Sequence, residues 1–93
     1  MLEPSTVFRK SSRQVSCELN GEAAILHLDQ SVYYGLKGVG ARLWTALETP
    51  QTLAELNRLV CEEFDVDAGR CAADLKEFLL QLREAGLVES DRP

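Results

Sequence analysis

The stretch Val32-Tyr33-Tyr34-Gly35-Leu36-Lys37-Gly38-Val39-Gly40-Ala41-Arg42-Leu43-Trp44 decides the fold. Period-two spacing runs through Val32, Tyr34 and Leu36, and helical spacing takes over at Val39, Leu43, Trp44 and Leu47. It reads as a short aromatic strand, a glycine-containing corner and the first turns of an amphipathic helix. Toward the N-terminus, Val15, Cys17 and Leu19 alternate with Ser16, Glu18 and Asn20, the pattern of a half-buried strand. Asn20-Gly21 then signals a type I′ hairpin, which needs positive φ at both central positions. Ala24, Leu26 and Leu28 alternate with Ile25, His27 and Asp29 on a second strand, and Asp29-Gln30-Ser31 turns the chain into the third. Residues 1–14 form an N-terminal arm, either flexible or carrying a short edge strand through Thr6-Val7-Phe8. The group Arg9, Lys10 and Arg13 reads as a solvated basic tail.

Toward the C-terminus, a helix over 39–48 buries Trp44 and stops at Thr49-Pro50. Thr52-Leu53-Ala54-Glu55 is a capping-box signature opening a helix to about Phe64. Asp65-Val66-Asp67 is a loop, with Asp67 as N-cap of a third helix over 68–85. The apolar stripe of that helix holds Cys71, Ala72, Leu75, Phe78, Leu79 and Leu82. Lys76 and Arg83 line one edge of the stripe, Asp74 and Gln81 the other. Gly86 is a C′ glycine, Leu87-Val88 an apolar tail that packs back, and 89–93 a polar end. Sheet and helices are segregated along the chain. The predicted fold is therefore α+β and winged-helix-like, a three-stranded antiparallel β-meander followed by three α-helices in one domain over 15–88.

Composition bounds the function. The 93 residues are 45% hydrophobic and 27% charged, as in an ordinary small globular domain. No apolar run is long enough for a membrane span, and Met1-Leu2-Glu3-Pro4 does not open a signal peptide, so a cytoplasmic protein is expected. The net charge of −5 is concentrated in residues 47–93, which argues against a nucleic-acid or membrane surface there. Cys17, Cys61 and Cys71 form no CxxC and read as reduced thiols, and His27 is the sole histidine, so no zinc site is expected. No Ser–His–acid or Cys–His set presents itself, and Gly35, Gly38 and Gly40 lack the lysine of a phosphate loop. The expectation is a non-enzymatic protein without cofactor or metal.

A binding module remains. If the strand 32–36 is a sheet edge, its free N–H and C=O groups can pair with an extended peptide, with the third helix as the other wall of a groove. On a strand, one of Tyr33 and Tyr34 must face outward. The residues expected to bind peptide are Val32, Tyr33, Tyr34 and Leu36 on the strand and Leu75, Lys76, Leu79 and Arg83 on the helix. The basic edge is chosen to meet an acidic guest; the Asp74 edge is the alternative.

The run Tyr33-Tyr34-Gly35-Leu36 through Val39-Gly40-Ala41-Arg42-Leu43-Trp44 resembles PqqD-like proteins, the recognition elements of ribosomal peptide natural-product pathways. So do Thr52-Leu53-Ala54-Glu55-Leu56, Phe64-Asp65-Val66-Asp67 and Ala85-Gly86-Leu87-Val88. The match departs at Lys37, where the family commonly has Asn. The resemblance implies a domain that binds the leader region of a precursor peptide by strand addition and passes it to separate enzymes. A stand-alone chain of this size is most similar to the leader-binding proteins of lasso-peptide biosynthesis. Their partners are a cysteine-protease-like leader peptidase and an ATP-dependent asparagine-synthetase-like cyclase. Two readings compete within peptide binding and outside it. One is PqqD proper, a peptide chaperone for a radical SAM enzyme in pyrroloquinoline quinone biosynthesis. The other is a winged-helix DNA-binding regulator, disfavoured because Arg70, Lys76 and Arg83 are balanced by Asp74, Glu77 and Glu84. A homodimer pairing two 32–36 strands is a further possibility.

Overall fold

A computed structural model describes residues 2–64 and 67–91. The expected meander is formed by β2 (Gln14–Leu19), β3 (Glu22–His27) and β4 (Val32–Leu36), in that spatial order. Asn20 and Gly21 take φ of 54° and 77°, so the hairpin closes as a two-residue turn and sets the register Leu19↔Glu22 through Gln14↔His27. At the next turn His27 is buried, and its Nδ1 accepts the backbone N–H groups of Asp29 (3.2 Å) and Gln30 (3.3 Å). The histidine is thus an internal cap for the β3–β4 connection.

On β2 and β3 the inward face is the reverse of what the apolar alternation suggests. Ala23, Ile25 and His27 point into the core, whereas Val15 and Leu19 stand 58% and 72% exposed. Inward-facing Ser16 is wanted there because the fully buried Trp44 donates its indole N–H to the Ser16 hydroxyl (3.1 Å). A buried indole N–H without an acceptor would cost about 1–3 kcal/mol.

The helices are α1 (Gly38–Ala46), α2 (Leu53–Glu63) and α3 (Ala68–Glu84). Thr52 Oγ1 accepts from the Glu55 N–H (3.1 Å) and Glu55 Oε1 from the Thr52 N–H (2.8 Å), the reciprocal box the sequence announces. Those bonds hold the Glu55 carboxyl below its usual range. Asp67 caps α3 through the Arg70 N–H (3.0 Å); of the loop before it, Asp65 and Val66 lie outside the described residues. At its far end Gly86, at φ 78°, lets the Leu87 N–H reach the Leu82 carbonyl and the Gly86 N–H the Arg83 carbonyl, both at 3.0 Å.

A second sheet is absent from the sequence reading. The arm supplies its central strand, β1 (Val7–Lys10), flanked by β5 (Gln51–Thr52) and β6 (Val88–Asp91). The carbonyls of Thr6 and Pro4 accept the N–H groups of Leu53 and Ala54, which the start of α2 leaves without helical partners. Fully buried Phe8 ties this sheet to a core built from Trp44, Ile25, Leu43, Leu56, Leu79 and Leu87. Of the polar end, residues 89–91 pair with β1 as part of β6, with Arg9 bonded to Asp91 and 3.4 Å from Glu89.

Candidate functional site

β4 carries no charged residue and pairs, among the described residues, with β3 alone. Its register sets Tyr34 opposite Ile25, and Tyr33 opposite Leu26. Since Ile25 is buried, Tyr34 faces the helices and is half-buried, while Tyr33 faces away and is 74% exposed. Val15, Leu26 and Tyr33 therefore form one row across the outer face of the sheet. Val32 and Leu36 share the inner side with Tyr34 by the same alternation. Among the described residues no strand pairs with the outer edge of β4, so its backbone donors and acceptors lack ladder partners there.

That edge leads into a cavity of about 630 Å³ between the end of β4, the start of α1 and α3. Its apolar walls are Leu36, Val39, Leu43, Val60, Leu75 and Phe78. Lys37, Asp67, Arg70 and Asp74 stand around it as polar lining. They are loosely engaged: Lys37 Nζ lies 3.9 Å from Glu22, and Arg70 Nε lies 3.9 Å from Asp74, all four side chains well exposed. Two charges of each sign near the mouth leave it without a net field of one sign. Lys37 is the N-cap of α1 and makes no side-chain capping bond, as expected where an Asn is replaced. Cys71 also reaches the cavity wall; burial, then its Cys61 neighbour, pushes its thiol pKa up, so it is an uncharged lining group at neutral pH.

The expected site residues separate into two sets. Leu36 and Leu75 meet at the cavity, beside the edge that carries Val32, Tyr33 and Tyr34. Leu79 is fully buried in the core and has no surface to offer a guest. Lys76 lines a different, smaller hollow with Pro4, Ala54 and Arg58 between α2 and α3. Arg83 turns toward β6 and donates to the Ser90 hydroxyl at 3.0 Å. The flank of α3 that looks toward β4 is therefore the one bearing Arg70 and Asp74. Val39, Gly40 and Phe78 also belong to the cavity and were not singled out from the sequence; the two charges four residues apart on α3 were the available signal for its flank.

Among the described residues, no group of three His, Cys, Asp or Glu side chains is placed to hold a metal ion. Among the same residues, no helix is long and apolar enough to cross a membrane.

Comparisons with known proteins follow the same outline. Residues 22–88 match the family model described as Coenzyme PQQ synthesis protein D (PqqD). The solved structure of TbiB1 in complex with the TbiA(beta) leader peptide is similar at a TM-score of 0.84 and 33% identity, covering 91% of this chain and 99% of that one. A lasso peptide synthetase B1 complexed with the leader peptide is similar at a TM-score of 0.77, covering 88% and 96%; at 17% identity it speaks for the fold alone. No curated protein sequence matches the chain. With the family model spanning most of its length and a relative one-third identical over nearly all of it, the chain belongs to the PqqD family.

Proposed function

We propose that this protein binds the leader segment of a ribosomally made precursor peptide as an added strand beside β4. It does no chemistry itself, and it delivers the peptide to a leader peptidase and a cyclase of lasso-peptide biosynthesis. The observation that carries the reading is the uncharged, unpaired edge of β4 running into an apolar cavity. Backbone pairing supplies sequence-independent affinity, and the cavity takes one anchoring apolar side chain of the guest. Val32, Tyr34 and Leu36 line the strand side, Leu75 and Phe78 the helix side, and Tyr33 stands beside the outward side chains of the guest. The kinship with TbiB1, a protein solved with a leader peptide, supports the peptide class. Delivery is supported by the exposed apolar row Val15–Leu26–Tyr33, which the added strand would extend into a composite face for the enzyme acting next.

The family description favours a second reading, PqqD proper beside a radical SAM enzyme. A transglutaminase-like protease and an asparagine-synthetase-like protein encoded alongside would select the first reading, and a radical enzyme the second.

Titration of labelled TbiA(beta) leader peptide, and of the leader encoded nearest the gene, tests the binding itself. A Kd of about 1–10 µM or tighter is expected. Lys76→Glu and Arg83→Glu, which lie off the groove, should each leave it within about twofold, as exposed charges away from a contact do. Absence of saturable binding to either leader at about 1 mM would overturn the reading.

A further inference from the structure

Gly40 sits in the first turns of α1, at a helical position whose φ is not left-handed. The backbone there does not call for glycine, and alanine would favour the helix by about 0.5–1 kcal/mol. What the absent side chain supplies is room. A Cβ at position 40 would lie 3.2 Å from Cζ and 3.4 Å from Cε1 of Phe78, and 3.8 Å from Cδ2 of Leu36. All three residues line the cavity. An added methyl would therefore stand where two of its walls meet, and the half-buried Phe78 ring would have to give way by a few tenths of an ångström.

We propose that Gly40 and Phe78 form a size gate: the bare backbone at 40 lets the Phe78 ring seat against α1, and this seating fixes how large an apolar side chain the cavity admits. The gate deepens the peptide-binding reading, and it rests on that reading for its biological guest. The chemistry that follows is a preference for an aromatic or similarly large anchor over a small one. A volume of about 630 Å³ leaves room for such a group, and the largely apolar walls offer it dispersion contacts without a fixed polar partner.

The test uses two free side-chain analogues, indole as the large probe and isobutanol as the small one. Each is titrated against the full chain, with methyl shifts of Leu36 and Leu75 as the readout. Wild type, Gly40→Ala, Phe78→Leu and the double variant are compared, with thermal melting of each as the control for folding. Gly40→Ala should weaken indole about tenfold and isobutanol by less than about twofold, the size of discrimination that one methyl gives in an apolar pocket. Phe78→Leu in the Gly40→Ala background should restore most of the indole affinity. Equal weakening of both probes, no weakening of either, failure of the double variant to recover, or no saturable shift in wild type would overturn the gate. The TbiA(beta) leader peptide and the leader encoded nearest the gene form a separate arm. Discrimination between the analogues with no leader bound by wild type leaves the gate standing and removes the peptide reading. Leader binding with indole and isobutanol affected alike by Gly40→Ala removes the gate alone.

Discussion

At its free edges the sheet β5-β1-β6 offers a two-residue strand on one side and, on the other, a strand whose Glu89 and Asp91 are both drawn to Arg9. The sheet β2-β3-β4 ends instead on Val32–Leu36, five residues without charge or proline. Both sheets face the same edge problem, since unpaired backbone groups invite further strands. In the first sheet shortness and charge discourage pairing, and the pairing it does make gathers both ends of the chain and the entrance to α2. In the second, no strand among the described residues pairs with the far side of β4, and the surface beyond it opens into an apolar cavity. The contrast separates a region committed to holding the fold from one left available to a guest, within 93 residues.

The largest test of that separation is Gly86→Ala. Gly86 ends α3 just before β6, and a Cβ there would lie 2.6 Å from Nε2 of His27, the residue that caps the β3–β4 turn. Strain at φ 78° adds to the collision. A loss of about 3 kcal/mol is expected, and with it a fall in Tm of roughly 15 °C. A fall confined to about 3 °C would mean that the two sheets are not joined tightly at this point.

Val39→Asp should separate binding from stability. Val39 is 37% exposed at the start of α1 and lines the cavity, so the carboxylate can stay hydrated in the free protein and suits the helix N-terminus. With a guest seated it must be desolvated. Leader affinity should fall about 100-fold with little change in Tm. A parallel loss of both would erase the distinction between the two regions.

The smallest effect lies in acid. Arg9 holds the Asp91 carboxyl below its usual range by a hydrogen bond, and Arg13 does the same for Asp29 in the β3–β4 turn. A carboxylate with a depressed folded pKa contributes stability that is fully present above the unfolded value, near 3.9, and is lost as pH falls through the folded one. Melting curves from neutral pH into acid should thus decline below about pH 4. Asp91→Asn or Asp29→Asn should flatten part of that decline. Both pairs are exposed, so added salt should shrink the difference. A steeper acid limb in Asp91→Asn than in the parent would contradict this assignment.

The meander, the Asn20-Gly21 turn, the Thr52–Glu55 box and the Gly86 cap were all legible, because each has a local chemical cause carried by neighbouring residues. The second sheet was not. β5 has two residues, and β1 and β6 have four each, too few for a periodicity. Their pairings join positions far apart in the chain, Val7 with Thr52 on one side of β1 and Val7 with Asp91 on the other. The inward face of β2 was misread for a related reason: a polar row with Ser16 beneath Trp44 is favoured by one distant hydrogen bond, which alternation cannot reveal. At the candidate site the strand half was legible from its aromatic, uncharged residues. A helical wheel identifies a stripe on α3 but not which flank turns toward β4. That depends on how α3 crosses the other elements, and it separates Lys76 and Arg83 from the cavity.

Trp44 gives the molecule its own optical reporter. It is the sole tryptophan, fully buried, with Ser16 of one sheet at its indole N–H and the Lys10 ammonium of the other 4.7 Å from its ring centroid. An indole between a hydroxyl from β2 and a cation from β1 emits according to whether both are in place. Its fluorescence should therefore register the loosening of either sheet, and one emission spectrum can follow the terminal sheet and the sheet that carries β4 together.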